Sequence, residues 1–425
     1  MNTNIITRQT CRVCGSKSLT SIIDIGDHCL SSVFAFEKER SITPQRKVPL
    51  RLMRCDSQSV ENACGLLQLE HTVPPSILYQ DYAYESGIND TMKEHLAGIV
   101  DQAEGAVHLN KDDLVVDIGC NDGTLLQAYQ PAGIRLLGVD PSENIADTAQ
   151  KKGVSVLRGL FSRRLMESFT KSKAKVITSI AMLYDLEDPV TFVRDVAHIL
   201  HREGVWILEQ SYLPSMLGNG SYDTICHEHL AYYSFSVVER LLDMAGLEAL
   251  DVDVNGSNGG SLRVVAGHMG RPKSAGGIKR LRELRAAEFD MELDTEKPYH
   301  MFKERAEELG SKLVEMLTTL QNNKKIVHGY GASTKGNTIL QYIGCTKKLI
   351  PFIADRNPHK HGKETIGTRI PIISEEQSRE LKPDYYLLLP WHFLKECKAR
   401  ETEFLKRGGK FIVPLPKVRT VGTGA

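Results

Sequence analysis

Leu114-Val115-Val116-Asp117-Ile118-Gly119-Cys120-Asn121-Asp122-Gly123 is the stretch that decides the fold. Leu114 to Ile118 is a β-rich apolar run, and the glycines behind it let the backbone turn and pass close to a ligand. A helix is expected over Thr124 to Tyr129. The spacing is not GxGxxG, and no Lys-Ser/Thr pair follows as in a phosphate loop. A small-residue turn without phosphate-holding features suits a cofactor that presents an amino-acid moiety. Asp117, Gly119, Asn121 and Gly123 are the contacts to expect there.

The same pattern continues downstream. A second strand, Arg135 to Val139, ends in Asp140, an acid placed to bind paired ribose hydroxyls or, alternatively, to cap its own loop. Phe161 in Gly159-Leu160-Phe161 offers an apolar wall for adenine, with plain core as the other reading. Lys175 to Ile180 reads as a strand, Asp188 to Leu200 as a helix, Val205 to Glu209 as a strand and Ser236 to Ala245 as a helix. Leu247 to Val254 and Ser261 to Gly267 are strands separated by Asn255-Gly256-Ser257-Asn258-Gly259-Gly260, a hairpin signal. A parallel α/β sheet ending in an antiparallel hairpin resembles the class I methyltransferase superfamily, which implies S-adenosylmethionine as cofactor.

Bulk properties set the frame. A chain of 425 residues suggests two or three domains, and 41% hydrophobic with 25% charged residues is ordinary for a globular protein. A formal net charge of +0 predicts no general attraction to nucleic acid or anionic membrane. Met1 to Thr10 lacks the apolar core of a signal peptide, and no stretch reaches the ~18 apolar residues of a membrane span. Nine cysteines are too sparse for a disulfide framework and point to a reducing, cytoplasmic setting.

Five of those cysteines fall in the first 75 residues. Cys11-Arg12-Val13-Cys14 is a CxxC knuckle, and Cys55 and Cys64 supply two further thiolates. Four sulfurs close a tetrahedral zinc site that folds a region with little core of its own, leaving no open position for chemistry. Cys29 is the bystander. A redox CxxC and unligated thiols are the rival readings, and no thioredoxin-like unit surrounds the motif. The expected organisation is a zinc-binding domain over 1–75 and a methyltransferase domain over 76–270. Residues 271–425 would hold long helices (274–323) and a second Rossmann-like α/β run to Pro416, with a frayed tail from Lys417.

A long insertion between Glu209 and Ser236 holds Ser221-Tyr222-Asp223-Thr224-Ile225-Cys226-His227-Glu228-His229-Leu230-Ala231-Tyr232-Tyr233. It starts at the strand ends where parallel sheets bind ligands. Two His and a Glu also suggest a metal, but the HExxH spacing is missing. After this run come Asn-Gly-Gly-Ser-Leu-Arg in the hairpin and Tyr330-Gly331-Ala332-Ser333-Thr334-Lys335-Gly336. Taken in order with the Cys-rich front, these motifs resemble the three-domain sugar C-methyltransferases, over nearly the whole chain.

That resemblance implies methylation of a carbon beside the ketone of a nucleotide-linked keto-deoxysugar, a small-molecule substrate of deoxysugar biosynthesis. It assigns His229 as the base that forms an enolate and Glu228 as its orienting partner or a hydroxyl anchor. His227 is a weaker candidate. Some members carry a Tyr where this chain has Cys226 and a His near Asp185; Tyr222 or Tyr184 are the phenols placed to substitute. Tyr82 and Tyr84, in Tyr79 to Gly87, would cover cofactor and substrate. In the C-terminal part, Ile326 to Asn337 reads as strand, turn and helix start, followed by a strand over Leu349 to Ala354 ending in Asp355. Diphosphate contact through Lys335, pure scaffold and dinucleotide binding are its three readings. A methyltransferase for hydroxyl, amine or other acceptors, and a zinc-containing scaffold without catalysis, are the alternative functions.

Overall fold

The computed structural model describes residues 5–36, 38, 46–58, 60, 62–78, 84–130 and 133–423. The N-terminal part is built from short strands: β1 (Ile6–Thr7), β2 (Leu19–His28), β3 (Phe34–Phe36), β4 (Val48–Cys55), β5 (Leu67–Leu69) and β6 (His71–Thr72), then a one-turn helix α1 (Pro75–Leu78). Along β4, Val48, Leu50 and Leu52 are buried and alternate with half-buried neighbours, so one face carries the core. β2, β4 and β5 pair antiparallel, with Leu19 opposite Cys55 and Leu52 opposite Leu69.

The centre follows with α2 (Asp90–Ala106), β7 (Leu114–Ile118), β8 (Arg135–Asp140), α3 (Glu143–Lys151), β9 (Val156–Arg158), α4 (Arg163–Phe169), β10 (Ala174–Ile180) and α5 (Pro189–Ile199). β11 (Leu200–Ser211), α6 (Leu213–Asn219), β12 (Ala231–Tyr232), α7 (Phe235–Asp243), β13 (Leu247–Asn255) and β14 (Ser261–His268) complete it. Seven strands form one sheet in the order β13-β14-β11-β10-β7-β8-β9, parallel except for β14. All five residues of β7 are buried, as a central strand covered by helices on both faces requires. This is the class I methyltransferase sheet, with its terminal hairpin. α5 starts where Asp188 accepts a bond from the Thr191 amide at 3.0 Å and Pro189 opens the first turn.

The C-terminal part comprises α8 (Ala275–Asp290), α9 (Lys297–Asn322), β15 (Val327–Tyr330), α10 (Thr334–Tyr342), β16 (Ile353–Asp355), β17 (Lys363–Thr365), β18 (Ile372–Ser374), α11 (Glu375–Glu380), β19 (Tyr385–Leu388), α12 (Leu394–Arg400), α13 (Thr402–Lys406), β20 (Lys410–Val413) and β21 (Arg419–Val421). Its sheet runs β18-β16-β15-β19-β20-β21, a Rossmann-like array with an antiparallel edge at β21.

Three local expectations are corrected. Thr124 to Tyr129 is not an α-helix but a single 3-10 turn at Leu126–Ala128, with Tyr129 already extended (φ −66°, ψ 132°) ahead of Pro131 in the sequence. The tail from Lys417 is not frayed: β21 pairs with β20, Phe411 opposite Val421. The strand expected over Leu349 to Ala354 begins only at Ile353, since Pro351 lacks the amide a central strand needs. Among the described residues no helix is long and apolar enough to cross a membrane.

The three parts are interlocked around the rim of the central sheet. β12, from the insertion, adds to the N-terminal sheet beside β5, and β3 pairs with β17 of the C-terminal part. Asn337 of α10 donates to the Ser31 carbonyl at 2.6 Å, and the Gln341 amide exchanges two bonds with the Cys29 backbone at 2.8 and 3.1 Å. Arg12, 3% exposed, donates to the Leu69 carbonyl at 2.7 Å, the Thr72 hydroxyl at 2.6 Å and the Glu187 carboxylate at 3.2 Å. It thereby ties the cysteine knuckle to the loop after β10. Arg12→Ala should therefore cost about 2–3 kcal/mol, because it leaves the buried Leu69 carbonyl and Thr72 hydroxyl without their donor, while Glu187 is one-third exposed and keeps Arg8. Urea unfolding of the zinc-loaded protein measures it, and a loss under about 1 kcal/mol would contradict this bracing role.

Candidate active site

The turn after β7 is shaped for close approach. Gly119 and Gly123 have φ +73° and +77°, and a Cβ on them would meet Met182 Cγ at 3.4 Å and Val154 Cγ2 at 2.8 Å. Asp140, the last residue of β8, accepts from the Asn121 amide at 3.0 Å and the Ser142 amide at 2.9 Å; burial raises its pKa while these amides oppose the rise. Asp117 lies beneath the turn, bonded to the Thr178 hydroxyl at 2.6 Å, and burial pushes its carboxyl up to about 7. Residues 84–87 dock on the turn: Asn121 donates to the Tyr84 carbonyl at 3.0 Å and accepts from the Ser86 amide at 2.9 Å. The Gly87 amide donates to Asp122 at 3.0 Å, a carboxylate also held by Lys152 at 2.6 Å. The Tyr84 side chain is exposed, and Tyr82 lies outside the described residues. Gly159 donates to the Asp140 carbonyl at 3.0 Å, which brings the Phe161 loop to the same rim. Phe161 is half-buried and packs edge-on against Phe192, centroids 5.4 Å apart. A Cβ-free cradle with an acid at the neighbouring strand tip fits S-adenosylmethionine, whose amino-acid end needs space and whose ribose needs an acceptor.

On the acceptor side, β10 ends in Ala181 with φ +55°, a strained conformation for a residue with a Cβ. That kink sends Met182 over Gly119 and Tyr184 onto the His229 ring, centroids 4.2 Å apart. His229 is held three ways: its amide donates to the Cys226 carbonyl at 3.2 Å, the next amide, of Leu230, donates to the Tyr184 carbonyl at 2.8 Å, and Nδ1 sits 2.8 Å from the Thr224 carbonyl. A carbonyl only accepts, so Nδ1 carries the proton and Nε2 keeps its lone pair. Burial, with the charge of Lys335, pushes the imidazole down to about 3, so the ring is neutral at physiological pH.

Glu228 is buried with Oε1 unpartnered among the described residues; burial pushes it up to about 7 against the hydroxyls of Ser32 and Thr334. Tyr222 is fully buried, its hydroxyl also unpartnered, and its ring packs on Tyr342 at 4.5 Å rather than on His229. The phenol against His229 is Tyr184. Among the described residues, unpartnered atoms of Asp223 and His392 join this set. Buried polar groups are costly without partners. These come from the insertion and the C-terminal part of the chain, with Ser32 of the N-terminal part beside Glu228, and a polar ligand among them would supply the missing partners. His227 faces away, with Nε2 3.1 Å from the Val48 carbonyl. Cys226 is fully buried, and Asp185 lies within electrostatic reach of it.

The Sγ atoms of Cys11, Cys14, Cys55 and Cys64 lie within 4.8 Å of one another, Cys11–Cys64 at 3.4 Å and Cys14–Cys55 at 3.5 Å. Tetrahedral zinc with bonds of about 2.3 Å needs sulfurs about 3.8 Å apart, so the donor set fits the ion. Cys29 stands outside it. Glu187, which Arg12 grips, lies three residues beyond Tyr184, so the knuckle reaches the His229 ring through one short loop.

The site defines a class I methyltransferase with a zinc-binding front. Residues 11–79 match the "Putative zinc binding domain" family, 89–252 the "Methyltransferase domain" family and 256–416 the "C-methyltransferase C-terminal domain" family. C-methyltransferase NovU of Streptomyces niveus is 31% identical over 418 residues, covering 97% of this chain and 96% of its own. The chain belongs to this C-methyltransferase family and is an S-adenosylmethionine-dependent enzyme. A ubiquinone biosynthesis O-methyltransferase of Methylococcus capsulatus is 25% identical over 154 residues, covering 32% of this chain and 65% of its own. The magnesium protoporphyrin IX methyltransferase of Synechocystis, solved with bound SAM, is 16% identical with a TM-score of 0.32, covering 41% of this chain and 79% of its own.

Ser32, Thr334, Trp391 and His392 were not singled out from the sequence. Trp391 had a signal: one of only two Trp in the chain, it follows a strand and a proline. Five histidines have pKa values depressed by desolvation: the buried His28, His227 and His328 to about 4, the half-buried His229 and His392 to about 3. Unfolded, each would titrate near 6.5, so their contribution is complete above that pH and lost as pH falls towards 4. Each histidine adds a slope of up to about 1.4 kcal/mol per pH unit. The carboxyls of Asp117 and Glu228, raised to about 7, give the opposite slope between pH 7 and 4. Five histidines outweigh two carboxyls, so urea midpoints should fall between about pH 6 and 4.5; a flat profile to pH 4.5 would contradict neutral burial.

Proposed function

We propose that this enzyme methylates the carbon next to the ketone of a nucleotide-linked keto-deoxysugar through an enolate, with His229 as base, within deoxysugar biosynthesis in the cytoplasm. The observation that carries the reading is the fixed tautomer of His229. Its Nε2 lone pair is available at neutral pH on a loop that Met182 links to the cofactor turn. A carbon acid must be deprotonated before it can be alkylated, whereas a hydroxyl acceptor needs less.

S-adenosylmethionine supplies an electrophilic methyl on a sulfonium. Gly119, Asn121 and Gly123 would line its amino-acid end, Asp117 and Asp140 would serve as acid partners, and Tyr84 and Phe161 would flank the adenosine. His229 Nε2 takes the proton from the carbon beside the ketone, and the C–H electron pair passes to the carbonyl oxygen. With S-adenosylmethionine held by these residues, the enolate carbon would be placed to take its methyl, the carbon–sulfur bond pair staying with sulfur. Tyr184 keeps the imidazole in plane for the transfer, and Glu228 accepts a bond from a sugar hydroxyl. Tyr222 forms the wall beyond it. Zinc shapes the fold and takes no part in these steps.

Incubation with S-adenosylmethionine and a panel of nucleoside-diphosphate 3-keto- and 4-keto-deoxyhexoses should add one methyl mass, placed on carbon by NMR. Methylation on oxygen alone would overturn the reading. Because a carboxylate accepts better than its acid, the sugar KM should fall as pH rises through about 7. Glu228→Gln should flatten that dependence, while His229→Gln lowers kcat about 10²-fold or more.

A further inference from the structure

We infer that Lys335, delivered from the C-terminal part, is the cation that stabilises the enolate oxygen, and not a contact to the substrate diphosphate. The inference rests on the enolate reading above. Lys335 is the second residue of α10, whose N-terminus is fixed by Ser333 accepting from the Gly336 amide at 3.0 Å. Its Nζ donates to the Asn258 carbonyl at 2.6 Å. Asn258 presents that carbonyl from the tip of the β13–β14 hairpin, at φ +51°. An ammonium has three donors, so this bond anchors the side chain without exhausting it.

The surroundings are those of a reaction centre. Thr334 lies beside Glu228, and the Lys335 charge reaches His229, His392 and Asp223. Asp223 is fully buried, with one oxygen accepting from Trp391 Nε1 at 2.8 Å and Oδ1 unpartnered among the described residues. The Trp391 ring in turn packs against Gly259 of the hairpin, so hairpin, insertion and C-terminal part hold one cation in place. Burial lowers the Lys335 pKa, and Asp223 opposes that shift.

Charge balance separates the two roles. A diphosphate brings at least two negative charges and would have to sit beside the Asp223 and Glu228 carboxyls, while Lys360, the other ammonium at this turn, is already engaged by the Ala332 carbonyl and Asp355. An enolate brings one charge, it develops only during proton transfer, and a preorganised cation in a water-poor pocket is most effective on such a charge. A cation facing His229 also disfavours the imidazolium, so Nε2 stays unprotonated until the substrate arrives.

The test is solvent deuterium wash-in at the carbon beside the ketone, with S-adenosylhomocysteine bound so that no methyl is transferred. Wild type should exchange; absence of exchange in wild type would overturn the enolate reading itself and this inference with it. In Lys335→Met the exchange rate should fall about 10²-fold or more. The affinities for thymidine and uridine diphosphate, measured by calorimetry, should stay within about threefold, as should that for S-adenosylmethionine. Unchanged exchange, or loss of nucleoside-diphosphate affinity instead, would overturn the assignment. If Lys335→Met does not fold, Lys335→Arg should bind nucleoside diphosphate normally and exchange about tenfold slower, since the guanidinium moves the charge. In Lys335→Ala, added propylamine should restore exchange; no restoration in a folded variant counts against the assignment.

Discussion

The two-residue pairing of Ala231–Tyr232 with Leu67–Leu69 is the contact on which the site depends. Through it the insertion after β11 becomes the edge strand of the cysteine-rich sheet, and the Leu69 amide donates to the Leu230 carbonyl at 2.9 Å, next to His229. A loop of this length leaving a strand end would otherwise sample many conformations at about 1–2 kcal/mol of backbone entropy per residue. Here that entropy is lost in folding, before substrate arrives. The four cysteines stabilise the same sheet, so the zinc site acts on chemistry through rigidity alone.

The second constraint is electrostatic. Buried Glu228 and Asp223 and half-buried His229 and Lys335 are each pushed by desolvation towards the neutral form. For the base proposed above, a neutral imidazole with a fixed tautomer has its lone pair free. Depression to about 3 nevertheless makes it a weak base, and the negative charge developing on the substrate has to raise it. Closing the pocket from three parts of the chain excludes water, which strengthens every charge interaction inside it. The strain at Ala181 belongs to the same design, because only that kink lets one short loop touch both Gly119 and His229.

Much of this was legible in the residues. The β7 run, its glycine turn and the hairpin signal at Asn255 to Gly260 read correctly because period and turn chemistry are local properties. Four cysteines in two segments were readable for the same reason: sulfur chemistry restricts the choices. What could not be read was convergence. That Ser32, Asp223, Lys335 and His392 share one pocket is set by how three parts pack, and nothing in their sequence neighbourhoods encodes it. Tyr184 and Tyr222 were equal candidates to replace the phenol missing at Cys226, and only the fold separates the ring on His229 from the ring on Tyr342. Short elements failed as well: Thr124 to Tyr129 is cut to a 3-10 turn by the extended Tyr129, and Arg419–Val421 is a strand because β20 offers an edge.

The central claim is that His229 waits as a neutral imidazole with its proton on Nδ1. Nitrogen-15 NMR of histidine-labelled enzyme addresses it, with the His229 signals assigned by their loss in His229→Gln among the 14 histidines. The account predicts a protonated Nδ1 and a bare Nε2, unchanged from pH 8 to pH 5.5. An Nε2–H tautomer, or an imidazolium forming near pH 6.5, would contradict it.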